Sequence, residues 1–213
     1  LTYAKQMWFA NGIHHHYSND KFTPGFTADY FSEVIIASID NANFPLEEGQ
    51  APEDLVELLT PVIFDPDLDA KKVNTSPDLD KITSSAVNFY ENVTEAEVIA
   101  FYENKTDANS AQPVSWGLNS KLTRENGEII EKVWKVGGMY TEAIEQIVFW
   151  LGQAITVAET DPQRTAIELL LKYYQTGDLA DFDAYNIAWV ADIDSPIDVI
   201  NGFIEVYNDP LGY

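Results

Sequence analysis

One long run of apolar residues at helical spacing lies in the second half of this 213-residue chain, over residues 140–159. Its apolar positions recur every three or four residues and form one continuous stripe: Ile144, Ile147, Val148, Leu151 and Ile155. A helix with such a stripe is stable only when the stripe packs against other elements. This half of the chain therefore requires a helical core.

Further helices are predicted on both sides of that run. Asp161-Pro162 supplies an N-cap and a proline at the first helical position, and Gly177 supplies the C-cap of the same helix. A capping box opens another helix at Thr94. The remaining predicted helices cover residues 3–11, 27–40, 53–59 (ending near Pro61) and 182–191.

Two segments indicate strands. Asn126-Gly127 lies between residues 120–124 and 128–134, a pattern typical of a β-hairpin, although a loop with one short helix is the alternative. Residues 200–207 alternate, so that one face of a terminal strand would carry Asn201, Phe203, Glu205 and Tyr207. We therefore expect an α+β fold, predominantly helical with a small antiparallel sheet. Residues 1–213 are expected to form a single domain, and a second boundary could fall in the polar linker at 105–113.

The charge of the chain excludes several partners. Asp and Glu number 35 against 12 Lys and Arg, for a formal charge of −23. Nucleic acids and anionic membranes need a positive surface, so neither is an expected partner. The charge serves solubility, or it attracts cationic ligands such as free amino termini. We expect a soluble protein of the cytoplasm or of a bacterial periplasm; the absence of Cys does not decide between them.

Metal and catalytic motifs are weak in this sequence. His14, His15 and His16 are its only histidines, and adjacent side chains diverge, so we expect loop packing or a cleft-lining role rather than a zinc site. Trp116 and Asn119 could also line a cleft, although packing is favoured. The alternating Asp residues at 65–69 lack the glycine and glutamate of a calcium loop. No metal ligand is predicted, and no known catalytic motif occurs.

Three segments resemble the dipeptidyl peptidase III family of zinc exopeptidases. They are the residues from Gly202 to Gly212 (Gly-Phe-Ile-Glu-Val-Tyr-Asn-Asp-Pro-Leu-Gly), Asn11 to Ser18, and Pro113 to Asn119. The resemblance implies a two-lobed enzyme with a wide cleft, in which this chain is similar to the amino-terminal part of the lobe without zinc. The family's motif His-Glu-x-x-Gly-His is absent, so zinc is expected in the complete enzyme and none in this fragment, which should be inactive alone.

The resemblance also implies roles for individual residues. Glu205 matches the family's acidic residue that receives the ammonium group of the substrate, and Tyr207 matches the tyrosine that hydrogen-bonds the scissile carbonyl. Asn201 and Phe203 share their strand face and are expected to bind substrate. Asn208 replaces an arginine of animal relatives, so the role of that arginine is not transferred.

The expected partners are a peptide with a free N-terminus and the zinc lobe of the same protein. An unpaired terminal strand would also favour edge-to-edge self-association. Two other functions remain open: a non-catalytic acidic module that binds peptides or proteins, and a helical interaction domain whose terminal strand pairs with a partner.

Overall fold

A computed structural model describes residues 1–107, 109–202 and 208–212. The chain divides into two compact units, residues 1–87 (unit 1) and 88–213 (unit 2). The described residues are 42% helical, in seven helices, and 10% β-structure, in three strands and isolated β-bridges. The predicted fold class, α+β and predominantly helical with a small sheet, is therefore confirmed. The single domain and the second boundary near 105–113 stay predictions.

Aromatic rings join the helices of unit 1. These helices are α1 (Thr2–Ala10), α2 (Ala28–Ala37) and α3 (Pro52–Phe64). The ring of Phe26 lies edge-on to Tyr3 and to Phe64, with centroid distances of 5.6 and 5.7 Å. Edge-to-face packing of this kind is favoured by the ring quadrupoles. The three rings form part of the apolar interior of the unit.

Helix α3 continues past Pro61, where the sequence predicted its end. Its last turn is kept because Ile63 is buried and Phe64 contacts other aromatic rings. The ammonium group of Lys21 donates hydrogen bonds to the carbonyls of Val62, Asp65 and Leu68. A cation at the C-terminal end of a helix satisfies carbonyls that lack a helical partner. Long-range packing thus outweighs the local preference of proline.

Unit 2 combines a sheet with four helices. In chain order these elements are β1 (Tyr90–Glu91), α4 (Glu95–Glu103), β2 (Ser120–Glu125), β3 (Glu128–Val133), α5 (Thr141–Thr156), α6 (Asp161–Thr176) and α7 (Leu179–Ala191). Helix α6 packs against both α5 and α7. One cluster of its core is formed by the buried residues Ile144, Leu170, Tyr173, Tyr174, Leu179 and Tyr185.

The hairpin prediction is confirmed, and its helical alternative is wrong. Strands β2 and β3 pair antiparallel around Asn126 and Gly127, whose φ angles are 51° and 88°. Both lie in the left-handed region that a type I′ turn requires. The third strand is β1, which pairs in parallel with β2, so the sheet is mixed rather than antiparallel. A two-residue strand is too short to show alternation in the sequence.

The predicted terminal strand is only partly described. Residues 200–202 are not in a strand, and 203–207 lie outside the described residues. The part that is described does not join the sheet, so that strand stays a prediction for 203–207.

Side-chain caps explain where two helices begin. The Thr94 side chain accepts a hydrogen bond from the Glu97 amide, and the Glu97 carboxylate accepts one from the Thr94 amide. The predicted capping box is therefore confirmed. Helix α6 is capped by Thr160 rather than by Asp161, because the Thr160 hydroxyl accepts the Gln163 amide at 3.1 Å. Asp161 and Pro162 fill its first two positions.

Candidate functional site

Two tyrosines hold the flanks of the terminal segment, which we define as residues 201–212. The hydroxyl of Tyr174, on α6, donates to Asn201 Oδ1 at 2.7 Å. The hydroxyl of Tyr90, on β1, donates to Asp209 Oδ2 at 2.7 Å. Both tyrosine side chains are buried, so each hydroxyl is fixed by the core around its ring. The described ends of the segment are thereby attached to two elements of unit 2.

The C-terminal flank is held further by local contacts. Asp209 Oδ1 accepts the amide of Leu211 at 2.8 Å, and Pro210 is buried. An aspartate that accepts an amide two residues ahead forms a turn that fixes the backbone. Asp209 thus uses one carboxylate oxygen for the turn and the other for Tyr90. This arrangement positions the chain immediately after Tyr207.

A partly buried polar cluster lies near Asp209. Glu131, on β3, accepts hydrogen bonds from Tyr102 (3.3 Å) and Ser120 (2.7 Å) and forms an ion pair with Lys105. Burial, together with the negative charges of Glu131 and Asp209, raises the pKa of Tyr102 well above its ordinary value. The Tyr102 hydroxyl therefore remains a protonated donor at neutral pH. The cluster is a fixed support rather than a source of protons.

Tyr174 is kept protonated in the same way. Burial raises the pKa of its hydroxyl. A protonated phenol can donate to the carbonyl oxygen of Asn201, which leaves the amide group of that side chain as a donor for other groups.

The structure places Trp116 and Asn119 in the packing of unit 2. Lys105 Nζ lies 5.2 Å from the centroid of the Trp116 ring, within the range of a cation–π contact. Asn119 is 2% exposed, and its Nδ2 donates to the carbonyl of Gly177 at 3.0 Å. The bond of Asn119 connects the residue before β2 to the C-cap of α6.

The three histidines diverge, as expected for adjacent residues. His14 is buried, and its Nε2 hydrogen-bonds the Asp69 carbonyl at 2.7 Å. His15 and His16 instead line a cavity beside α1. In the described chain, no group of three or more His, Cys, Asp or Glu is placed to hold a metal ion. The zinc that the resemblance implies is therefore not assigned to residues of this structure.

Sequence reasoning missed Tyr90, Tyr174 and Asp209. A tyrosine at an apolar position reads as core, and the hydroxyl partners lie 119 and 27 residues away. Asp209 does belong to the Asp-Pro step of the resembling segment, which was the one available signal. Phe203, Glu205 and Tyr207, the central residues of the predicted site, lie outside the described residues.

No helix within the described ranges is long and apolar enough to cross a membrane. No curated protein matches this chain. The sequence profile of peptidase family M49 matches residues 71–213, which is more than half of the chain. Among solved structures, the chain is similar to the structure of DPP III from Caldithrix abyssi, at 16% sequence identity and a TM-score of 0.46. That match covers 86% of this chain and 32% of the other, so this chain spans about a third of that protein's length.

Proposed function

Because this chain belongs to peptidase family M49, we propose that it forms the part of a zinc-dependent dipeptidyl peptidase that binds the free amino terminus of a peptide. The observation that carries the proposal is the attachment of the terminal segment at both described flanks, to Tyr174 and to Tyr90. The segment falls within the residues that match the family. Fixed flanks suit a segment whose side chains must be aimed at a ligand.

In this proposal, Glu205 binds the ammonium group of the substrate. A carboxylate and an ammonium form a charge-assisted hydrogen bond, which is about twice as strong as one between neutral groups. An anchor at the amino terminus also measures a fixed distance to the bond that is cut, so the product is a dipeptide. Phe203 binds the same peptide along an extended strand, as in strand addition. Asn201, which precedes that strand, binds the peptide through its side-chain amide group, because its Oδ1 already accepts from Tyr174.

Tyr207 has a different role in the proposal. Its hydroxyl donates to the carbonyl oxygen of the bond to be cut and stabilises the negative charge that develops there. Glu205 and Tyr207 are two residues apart, so in a strand they project to the same face. One strand would therefore both hold the amino terminus and stabilise the reacting carbonyl.

Zinc belongs to the complete enzyme in this account. When bound, it would supply an activated water and polarise the carbonyl. The described residues do not form a site for it, so the role proposed for this chain is limited to binding and orienting the peptide. We propose that the zinc lobe of the same protein is the partner that completes the cleft.

Substitutions in the complete peptidase test the proposal. Glu205→Gln removes the charge that faces the ammonium and is expected to raise the KM for a dipeptidyl arylamide about 10- to 100-fold, since hydrogen bonds to charged groups contribute about 1.5–3 kcal/mol. Tyr207→Phe is expected to lower kcat about 100-fold with little effect on KM. The matched control is Glu128→Gln, an exposed carboxylate of the hairpin.

Two results would contradict the proposal: a KM in Glu205→Gln equal to that of the control, or an unchanged kcat in Tyr207→Phe. A second candidate, a non-catalytic acidic module, is favoured by the net charge of −23 alone. It requires that the complete natural protein binds peptides and leaves arylamides uncut.

A further inference from the structure

An open cavity of about 480 Å³ on the surface of unit 1 is lined by α1 and by the loop that follows it. Its volume lies in the range of small-molecule sites. The α1 cavity, as we call it, is lined among others by Lys5, Phe9, His15, His16, Tyr17 and Phe22. These residues precede the part of the chain that matches the peptidase family. The proposed binding of a peptide amino terminus leaves the cavity without a role.

The charge of the cavity is opposite to that of the chain. The formal charge of the chain is −23, yet no Asp or Glu lines the α1 cavity. Most cations elsewhere are engaged, as in the ion pairs of Lys121 with Glu91 and of Lys172 with Asp181. Lys5 makes no ion pair with any residue that the structure describes. Its ammonium group is therefore available to an anionic ligand.

The ring of His15 is oriented by the backbone. Its Nδ1 accepts the amides of Tyr17 and Ser18, both at 3.2 Å. A neutral ring that accepts at Nδ1 carries its proton on Nε2. The ring also packs edge-on to Phe22, with centroids 6.0 Å apart. His15 is thereby held in one orientation with Nε2–H as the remaining donor.

Asp20, whose charge interacts with that of His15, is already engaged. Asp20 forms an ion pair with Lys71 at 2.6 Å, and this pairing holds the pKa of Asp20 below its ordinary value. Asp20 does not line the cavity. An anion in the cavity therefore meets Lys5 and His15 without a competing free carboxylate on the wall.

Aromatic rings form the other walls. Phe9 and Tyr17 are 86% and 85% exposed, which is unusual for side chains of this size. The ring of His16 lies edge-on to Tyr17, with centroids 4.9 Å apart. Exposed aromatic surface beside a few fixed polar groups is typical of ligand sites. The apolar part of a ligand would cover these rings.

We propose that the α1 cavity binds a small carboxylate that carries an aromatic ring, with Lys5 and His15 on the carboxylate and Phe9, Tyr17 and Phe22 around the ring. The carboxylate could belong to the C-terminal aromatic residue of a peptide or to a free aromatic acid. This site takes an anion, whereas Glu205 is proposed to take an ammonium. The two proposals stand on different residues and fail independently.

The test is a titration of the 213-residue chain followed by NMR. The probes are N-acetylphenylalanine, which represents a peptide end, and phenylacetate, which represents a free acid. N-acetylphenylalanine amide and phenethylamine replace the anion by a neutral and a cationic group. At least one anionic probe is expected to reach saturation and to change the NMR chemical shifts of residues in the α1 cavity. Its affinity is expected to be at least about tenfold higher than that of N-acetylphenylalanine amide or phenethylamine.

Variants separate the site from general charge effects. Lys5→Gln is expected to lower the affinity for the anionic probe about tenfold. Lys72→Gln, the same charge change on a lysine outside the cavity, is expected to leave binding unchanged. Circular dichroism checks that both variants stay folded. The proposal would be overturned if N-acetylphenylalanine amide bound as tightly as the anionic probe, or if Lys5→Gln and Lys72→Gln lost affinity equally. It would also be overturned if neither anionic probe saturated the chain up to about 10 mM.

Discussion

Two phenol hydroxyls determine where the terminal segment is attached. Tyr174 and Tyr90 bury their rings in unit 2 and direct their hydroxyls to Asn201 and Asp209. A buried hydroxyl without a partner costs free energy, so each bond specifies one position of the segment rather than adding much net stability. Attachment of this kind is what a binding segment needs before a ligand arrives.

Removal of either hydroxyl should reduce the affinity for a peptide, with only a modest loss in the free energy of unfolding. Tyr90→Phe and Tyr174→Phe are each expected to lower the free energy of unfolding by about 1–2 kcal/mol, measured by urea unfolding. Each should also weaken binding of a free-amine peptide, because the flank that its hydroxyl holds is released.

Tyr3→Phe is the matched control for these variants. The Tyr3 hydroxyl is buried without a hydrogen-bond partner among the residues described, so its removal should raise the free energy of unfolding by up to about 1–3 kcal/mol and leave peptide binding unchanged. Peptide affinity equal to that of the control in both Tyr90→Phe and Tyr174→Phe would contradict the positioning role.

Local features were predictable from the sequence at this scale, and long-range pairs were not. The capping box of Thr94 and Glu97 depends on residues three apart, so its pattern is visible in the sequence. The bond between Tyr90 and Asp209 joins residues 119 positions apart. Only the fold brings them together, and neither residue type signals such a partner.

Helices and strands were likewise predictable where local sequence determines them and mispredicted where long-range contacts do. The hairpin was predictable because Asn126-Gly127 fixes its turn chemistry. Strand β1 was missed because two residues carry no periodicity, and the end of α3 was misplaced because packing keeps Pro61 inside the helix. Both errors arise where tertiary contacts override local preference.

Gly177 ends α6 and lies against Val133 of the hairpin, so its replacement should lower the stability of the fold. Its φ is 68°, and a Cβ there would lie 2.6 Å from Val133 Cγ1. Gly177→Ala is therefore expected to lower the free energy of unfolding by about 2–4 kcal/mol, from backbone strain and overpacking together. Urea unfolding measures the change.

Gly127→Ala separates these two effects. Its φ is 88°, but nothing lies within 4 Å of the added Cβ, so only backbone strain of about 1 kcal/mol is expected. Equal losses in the two variants would show that the close approach to Val133 does not matter.

For the whole molecule, the net negative charge is consistent with the cationic peptide end proposed as its ligand. A chain of net charge −23 attracts cations over distances of about a Debye length, near 8 Å at physiological salt. A peptide's free amino terminus is such a cation. The family was predictable chiefly from the terminal motif, Gly202 to Gly212, which holds several fixed identities and lies within the matched residues. The contacts that attach the terminal segment appear only in the fold.

Binding of one peptide in two forms distinguishes recognition of an ammonium group by Glu205 from general attraction to an acidic chain. A tripeptide with a free amino terminus and its N-acetylated form are titrated into the chain by calorimetry, with Glu205→Gln as the variant. The free amine is expected to bind at least about tenfold more tightly, and this preference is expected to disappear in Glu205→Gln. Equal affinities of the wild-type chain for the two forms would contradict it.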